Sequence, residues 1–157
     1  MGGRKVVYAI FLDYDGVLVS TDWEDSVLLK YGYTPVNELA PELIDNLVKV
    51  VEAVPDVKLV ITSQWRGDTR AFIKAMLQLT HRGLRVWDTV GEEVNNPDRS
   101  AEIRNYLAHW PEIDHYIILD DETLDEDLRA KQVKTTLKCG FTADKIEEAI
   151  RKLKENI

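Results

Sequence analysis

A single cysteine, Cys139, in a chain of 157 residues excludes an internal disulfide and fits a reducing compartment, so a cytoplasmic location is expected. No apolar run approaches the ~20 residues that a membrane-spanning helix needs. The three histidines, His81, His109 and His115, lack metal-like spacing, and no role is assigned to them. Positive charge is also scarce: 20 Lys and Arg against 28 Asp and Glu leave a formal net charge of -8. A chain that coats nucleic acid through general electrostatics needs the opposite balance. A local basic patch remains compatible with this charge, and acids gathered around a cation would make it overstate the working one. The N-terminal MGGRKVVYAIFLD has a basic pair followed by apolar residues, as a signal peptide does. Its apolar run ends in acids without a small-residue cleavage site, which argues against that reading.

What is present is ordinary soluble composition, 45% hydrophobic and 31% charged. The length suits one domain over 1–157 with one sizeable core. Short β-branched or aromatic runs at 6–13, 57–62, 84–90 and 115–120, with a weaker one at 132–137, predict strands buried on both faces. Between them, 41–54, 67–79, 96–110 and 142–156 read as helices. Pro41 suits a first turn, Gly83 and Pro111 act as stops, and Thr142 is the expected cap of the last helix. The alternation predicts a three-layer, Rossmann-like α/β fold around a mostly parallel five-stranded sheet. The interval 20–40, with one tryptophan, two tyrosines and four acids, is the length of a short flap, and no cap-sized insert follows Thr62.

Ligands of such sheets bind at the carboxyl ends of the strands. Asp13 and Asp15 follow the first predicted strand, Thr62 and Ser63 the second, Asp120 and Asp121 the fourth. All six therefore fall at one edge. A set of this kind suits phosphoryl transfer through an aspartyl phosphate. One carboxylate attacks phosphorus, a hard cation such as Mg²⁺ held by the others offsets the repulsion between anions, and a hydroxyl and a cationic side chain hold the phosphate oxygens.

Asp13-Tyr14-Asp15-Gly16-Val17-Leu18 resembles the first motif of the haloacid dehalogenase (HAD) superfamily, Thr62 its second, and Asp120-Asp121 its fourth. The stretches TSQWR, AEIRNYL and GFTADKIEEAIRKL further resemble a capless branch, the HAD domain of Swiss Army Knife RNA repair-like proteins. The resemblance implies a HAD-like fold with Asp13 as nucleophile and Asp15 as general acid/base, the latter also giving its backbone carbonyl to the metal. Thr62, with Ser63, would bind phosphate, and Asp120 and Asp121 would complete the Mg²⁺ site with Asp13 and Asp15. For the third motif, a cation that pairs with phosphate, Arg99 is the first choice and Arg104 the second.

The expected function is thus a Mg²⁺-dependent phosphomonoester hydrolase. Its substrate would be a phosphorylated small molecule, a nucleotide or a polynucleotide end, with no membrane partner and no tight general nucleic-acid binding. One alternative is a phospho-acceptor signalling domain, whose acceptor would follow the third strand; Asp88 is the poorly matching candidate. Another is a non-catalytic binding domain on the same fold. Capping is the competing role for Thr62 and Ser63. Packing is the competing role for Trp65, surface exposure that for Arg66, and Cys139 is read as structural.

Overall fold

The computed structural model describes residues 4–91 and 98–155. Five strands, β1 (Tyr8–Leu12), β2 (Lys58–Ile61), β3 (Val86–Thr89), β4 (His115–Asp120) and β5 (Gln132–Lys134), form one sheet in the order β3-β2-β1-β4-β5. Every neighbouring pair is parallel. Among the described residues six α-helices accompany them: α1 (Thr21–Tyr31), α2 (Pro41–Glu52), α3 (Thr69–His81), α4 (Arg99–His109), α5 (Glu126–Arg129) and α6 (Ile146–Lys154).

Alternation of side chains along each strand builds two cores. Ile10, Leu12, Leu59, Ile61, Ile117 and Leu119 face one way, against Leu47 and Val50 of α2, Leu79 of α3 and Leu153 of α6. Phe11, Val60 and Ile118 face the other way, against Ile103 and Tyr106 of α4 and Leu128 of α5. Each fully buried side chain of this kind contributes about 1.5–3 kcal/mol, so both faces of the central strands are fixed. That is the three-layer fold the apolar runs predict.

Several boundaries differ from the sequence reading, each for a local reason. The fifth strand stops at Lys134, because the Thr135 hydroxyl turns to donate to the Gly16 carbonyl and Cys139 N–H donates to Thr136 Oγ1 at 3.1 Å in the turn that follows. The helix read from Gly67 is preceded by a 3₁₀ turn at Gln64–Gly67 and begins properly after Asp68, whose carboxylate accepts the Ala71 N–H at 3.1 Å. Thr142 starts a 3₁₀ turn, but its hydroxyl donates to Asp144 instead of capping the backbone. Pro97, read as an early helix residue, lies outside the described residues, as does residue 156 at the end of the last predicted helix.

The flap interval 20–40 holds helix α1. Ser20 caps it, its Oγ accepting the Trp23 N–H at 3.2 Å, and Gly32 closes it in the left-handed region at φ 78°. Only Val27 of the helix is buried, so α1 is held mainly by its ends. Among the described residues no helix is long and apolar enough to cross a membrane.

Candidate active site

Strand order reverses at β1, which has β2 on one side and β4 on the other. Connections leaving the carboxyl ends of β1 and β4 diverge there and open a crevice. The chain runs straight into it. Asp13 N–H donates to the Leu119 carbonyl at 3.1 Å, and Thr62 N–H donates to the Leu12 carbonyl at 2.9 Å. Asp13, Thr62 and Asp120 are therefore carried side by side on the ends of three adjacent strands, as expected.

The fourth member comes from α4, across the crevice. Arg99 Nη1 lies 2.5 Å from Asp120 Oδ2, 3.5 Å from Asp13 Oδ2 and 3.3 Å from Thr62 Oγ1. Arg99 and Asp13 are each 5% exposed, and Thr62 and Asp120 are wholly buried. One guanidinium thus bridges all three strand ends. The remaining oxygens are oriented by backbone: Asp13 Oδ1 accepts the Tyr14 N–H at 2.8 Å and Asp120 Oδ1 the Glu122 N–H at 3.0 Å. Asp121 stands over the turn after β1. Gly16 there has φ 79°, and a Cβ on it would run into the Asp121 carboxylate. Glycine is required twice over, by its conformation and by that approach.

Burial, with the Asp120 charge beside it, pushes the Asp13 carboxyl up to about 7, although Arg99 pulls the other way. Burial raises Asp120 as well, against the opposing pull of Arg99, and raises Asp121. One ligand oxygen from each of Asp13, Asp120 and Asp121 fits within a span of 4.8 Å. Three hard oxygen donors, with one guanidinium against three carboxylates, suit a hard divalent cation such as Mg²⁺. The donor set fits the expected metal. The side chain of Asp15 is not part of this cluster.

Asp15 is instead exposed at the rim, where its Oδ2 accepts the indole Nε1–H of Trp65 at 3.0 Å. The first turn of α1 approaches the same rim: burial, then the Asp15 and Asp25 charges, push Glu24 upward. Ser63 is fully buried and its Oγ accepts the Trp65 N–H at 3.2 Å, so it caps the 3₁₀ turn. Arg66, from that turn, donates to the Thr62 and Ser63 carbonyls and pairs with Glu102 of α4, both side chains being 4% exposed. Glu102 Oε1 also lies 3.7 Å from Arg99 Nε.

Arg104 is not brought to the site. It is exposed and pairs with Asp125 and Asp127. Asp88 sits on the edge strand β3, accepting the Tyr106 hydroxyl at 2.8 Å, away from the carboxylate cluster. The sheet order also differs from the flavodoxin-like 2-1-3-4-5 order of receiver domains. The sequence alone does not single out Glu102, and it gives Trp65 and Arg66 two competing roles each. The signal for Glu102 was its spacing: Arg99, Glu102, Ile103 and Tyr106 share one helical face, which places two charges in a buried stripe.

A family model described as the HAD domain in Swiss Army Knife RNA repair proteins matches residues 9–146. The chain belongs to that family. The match begins inside β1 and ends where α6 starts, so it takes in every strand and the whole carboxylate cluster. Membership places this HAD domain among the hydrolases of the HAD superfamily, which generally use Mg²⁺. No curated protein and no solved structure matches it.

Proposed function

We propose that the protein is a Mg²⁺-dependent phosphomonoester hydrolase working through an aspartyl phosphate on Asp13. The observation that carries this reading is the meeting of Asp13, Asp120 and Asp121 with Arg99 and Thr62 at the ends of β1, β2 and β4. Asp13, Asp120 and Asp121 would hold the cation, with the Asp15 backbone carbonyl as the further expected ligand. When bound, the cation neutralises charge on the phosphate and on the carboxylates around it.

The residues divide the work. An Asp13 oxygen attacks phosphorus and the bond from phosphorus to the substrate oxygen breaks. Asp15 gives its proton to that leaving oxygen, so an alcohol departs. Asp15, now a carboxylate, takes a proton from water, which attacks phosphorus and breaks the bond to Asp13. Inorganic phosphate leaves, and both residues return to their starting states. Arg99 and Thr62 hold phosphate oxygens throughout, with the Arg66–Glu102 pair behind them fixing the Thr62 and Ser63 carbonyls. Ser63 supports this pocket as a cap, its hydroxyl being engaged with the Trp65 N–H.

Phosphorylated nucleic-acid ends and nucleotides are the substrates this reading favours. The family description, which names RNA repair, supports that choice, as does an insert of only α1 and its loop where a large cap would enclose a small metabolite. The net charge of -8 makes recognition local to the phosphorylated end, without tight general binding to the strand. The lone cysteine supports a cytoplasmic location.

The test is hydrolysis of p-nitrophenyl phosphate with Mg²⁺ and with EDTA, beside an Asp13→Asn variant, followed by 3′- and 5′-phosphorylated oligonucleotides against small phosphates. Metal-dependent turnover lost in Asp13→Asn is expected. Wild-type activity retained in the variant would refute the nucleophile, and no turnover of any phosphomonoester would favour a binding domain.

A further inference from the structure

We infer that Trp65 is the positioning residue for Asp15, its indole N–H holding the carboxylate in place to protonate an alkoxide leaving group. The inference rests on the phosphatase reading above and adds a residue to it. Asp13 is fixed by burial, by the Tyr14 N–H and by Arg99. Asp15 has none of these. It is exposed, it lies outside the carboxylate cluster, and among the described residues Trp65 Nε1 at 3.0 Å is the side-chain donor that reaches it. An exposed carboxylate free to turn about two torsions spends little time aimed at one atom, and small displacements of a proton donor are costly.

The indole is itself well held. Its backbone N–H is taken by the buried Ser63 hydroxyl at 3.2 Å. Its ring stands edge-on to Tyr14, at 5.3 Å between centroids and 73° between planes, and Tyr14 is fully buried. The neighbouring Arg66 locks the same 3₁₀ turn to the Thr62 and Ser63 carbonyls and to Glu102. One short turn, Gln64–Gly67, therefore sets the phosphate side of the site through Arg66 and the proton side through Trp65. The hydrogen bond occupies one oxygen of Asp15 and leaves the other for the proton in flight.

This role has a chemical signature that packing lacks. An alkoxide, such as a ribose or alkyl oxygen, needs its proton as the bond to phosphorus breaks, whereas p-nitrophenolate leaves without one. Loss of the indole N–H should therefore harm alkyl substrates selectively. Water activation by the same Asp15 should also slow, so a good leaving group would appear in a burst while phosphate remains on Asp13.

The experiment compares wild type, Trp65→Phe and a chain carrying 3-benzothienylalanine at position 65, which keeps the ring shape and has sulfur in place of N–H. Each is assayed with p-nitrophenyl phosphate, a set of substituted aryl phosphates and an alkyl phosphate. The ratio of kcat/KM for the aryl over the alkyl substrate should rise about tenfold to a hundredfold in both variants, with a burst of p-nitrophenolate. An equal fall for every substrate, or none, in the benzothienyl chain would overturn the inference while leaving the phosphatase intact. Absence of turnover by wild type with every phosphomonoester would overturn both.

Discussion

Helix α4 carries two arginines that make opposite use of the same chemistry. Arg99 is buried among Asp13, Asp120 and Glu102, while Arg104, further along the helix, meets Asp125 and Asp127 in solvent. Desolvating a guanidinium is expensive, and a buried pair repays that cost only when its geometry is complete. Around Arg99 it is not complete. Its Nε, the Arg66 Nε and Glu102 Oε1 are buried without hydrogen-bond partners. Arg99 Nε and Glu102 Oε1 still face each other at 3.7 Å, so their charges are paired while their hydrogen bonding is incomplete. That incompleteness fits the proposal that the buried cluster presents charge to a ligand, while the exposed one decorates a surface.

The strongest way to break that contrast is Arg99→Ala. It removes the one cation among the described residues that touches Asp13, Thr62 and Asp120 together, and phosphatase turnover should fall about a thousandfold. Arg99→Lys should recover little, since a single ammonium cannot face three strand ends as a planar guanidinium does. Steady-state kinetics on p-nitrophenyl phosphate decides this, and recovery by lysine would reduce Arg99 to a point charge.

Glu102→Ala probes the support behind it. It leaves Arg66 buried against two carbonyls with no counter-charge, and urea unfolding should show a loss of about 3–5 kcal/mol. The double variant Arg66→Met/Glu102→Leu should lose less than Glu102→Ala alone, because no unpaired charge is then buried. A larger loss in the double variant would mean that the hydrogen bonds to Thr62 and Ser63 outweigh the charge pairing.

The carboxylates predict a pH dependence that metal reverses. Asp13 is raised to about 7 by burial and by Asp120, so the native state holds protons that the unfolded chain has released between the ordinary carboxylate range and pH 7. Stability without metal therefore falls as pH rises through that window. Only ionised carboxylates bind a cation, so Mg²⁺ should stabilise more at pH 8 than at pH 5.5. Melting curves in EDTA and in Mg²⁺ across this range test both signs, and Asp13→Asn should flatten the EDTA series.

Much of this was legible in the chain, for identifiable reasons. Runs such as VVYAIFLD and HYIILD are apolar on both faces, and that pattern admits few structures besides a buried parallel strand. Acids closing such runs stood out against them, so Asp13, Asp120 and the shared edge could be read directly. Helix α1 could not. With only Val27 buried it has no apolar stripe, and what defines it is the Ser20 cap and Gly32, which look the same in a loop. Nor could the split between Asp13 and Asp15, two residues apart. One enters the buried cluster and the other meets an indole fifty positions away, and that depends on where the Gln64–Gly67 turn lies in space.

The smallest effect belongs to Arg104→Ala. Its partners Asp125 and Asp127 are, like it, largely in water, where solvent and salt screen the attraction and holding long side chains together costs entropy. Melting temperature and kcat should both stay within the scatter of wild type, at low and at high salt. The value of so small an effect is that Arg104 is otherwise a good candidate from sequence, an arginine on the same helix with two acids for company. A drop in kcat on its removal would show that charge reaches the site from the surface, and would dissolve the distinction between the two clusters. An unchanged rate would leave burial, and the incomplete hydrogen bonding that comes with it, as the feature that separates the arginine proposed to bind phosphate from the one on the surface.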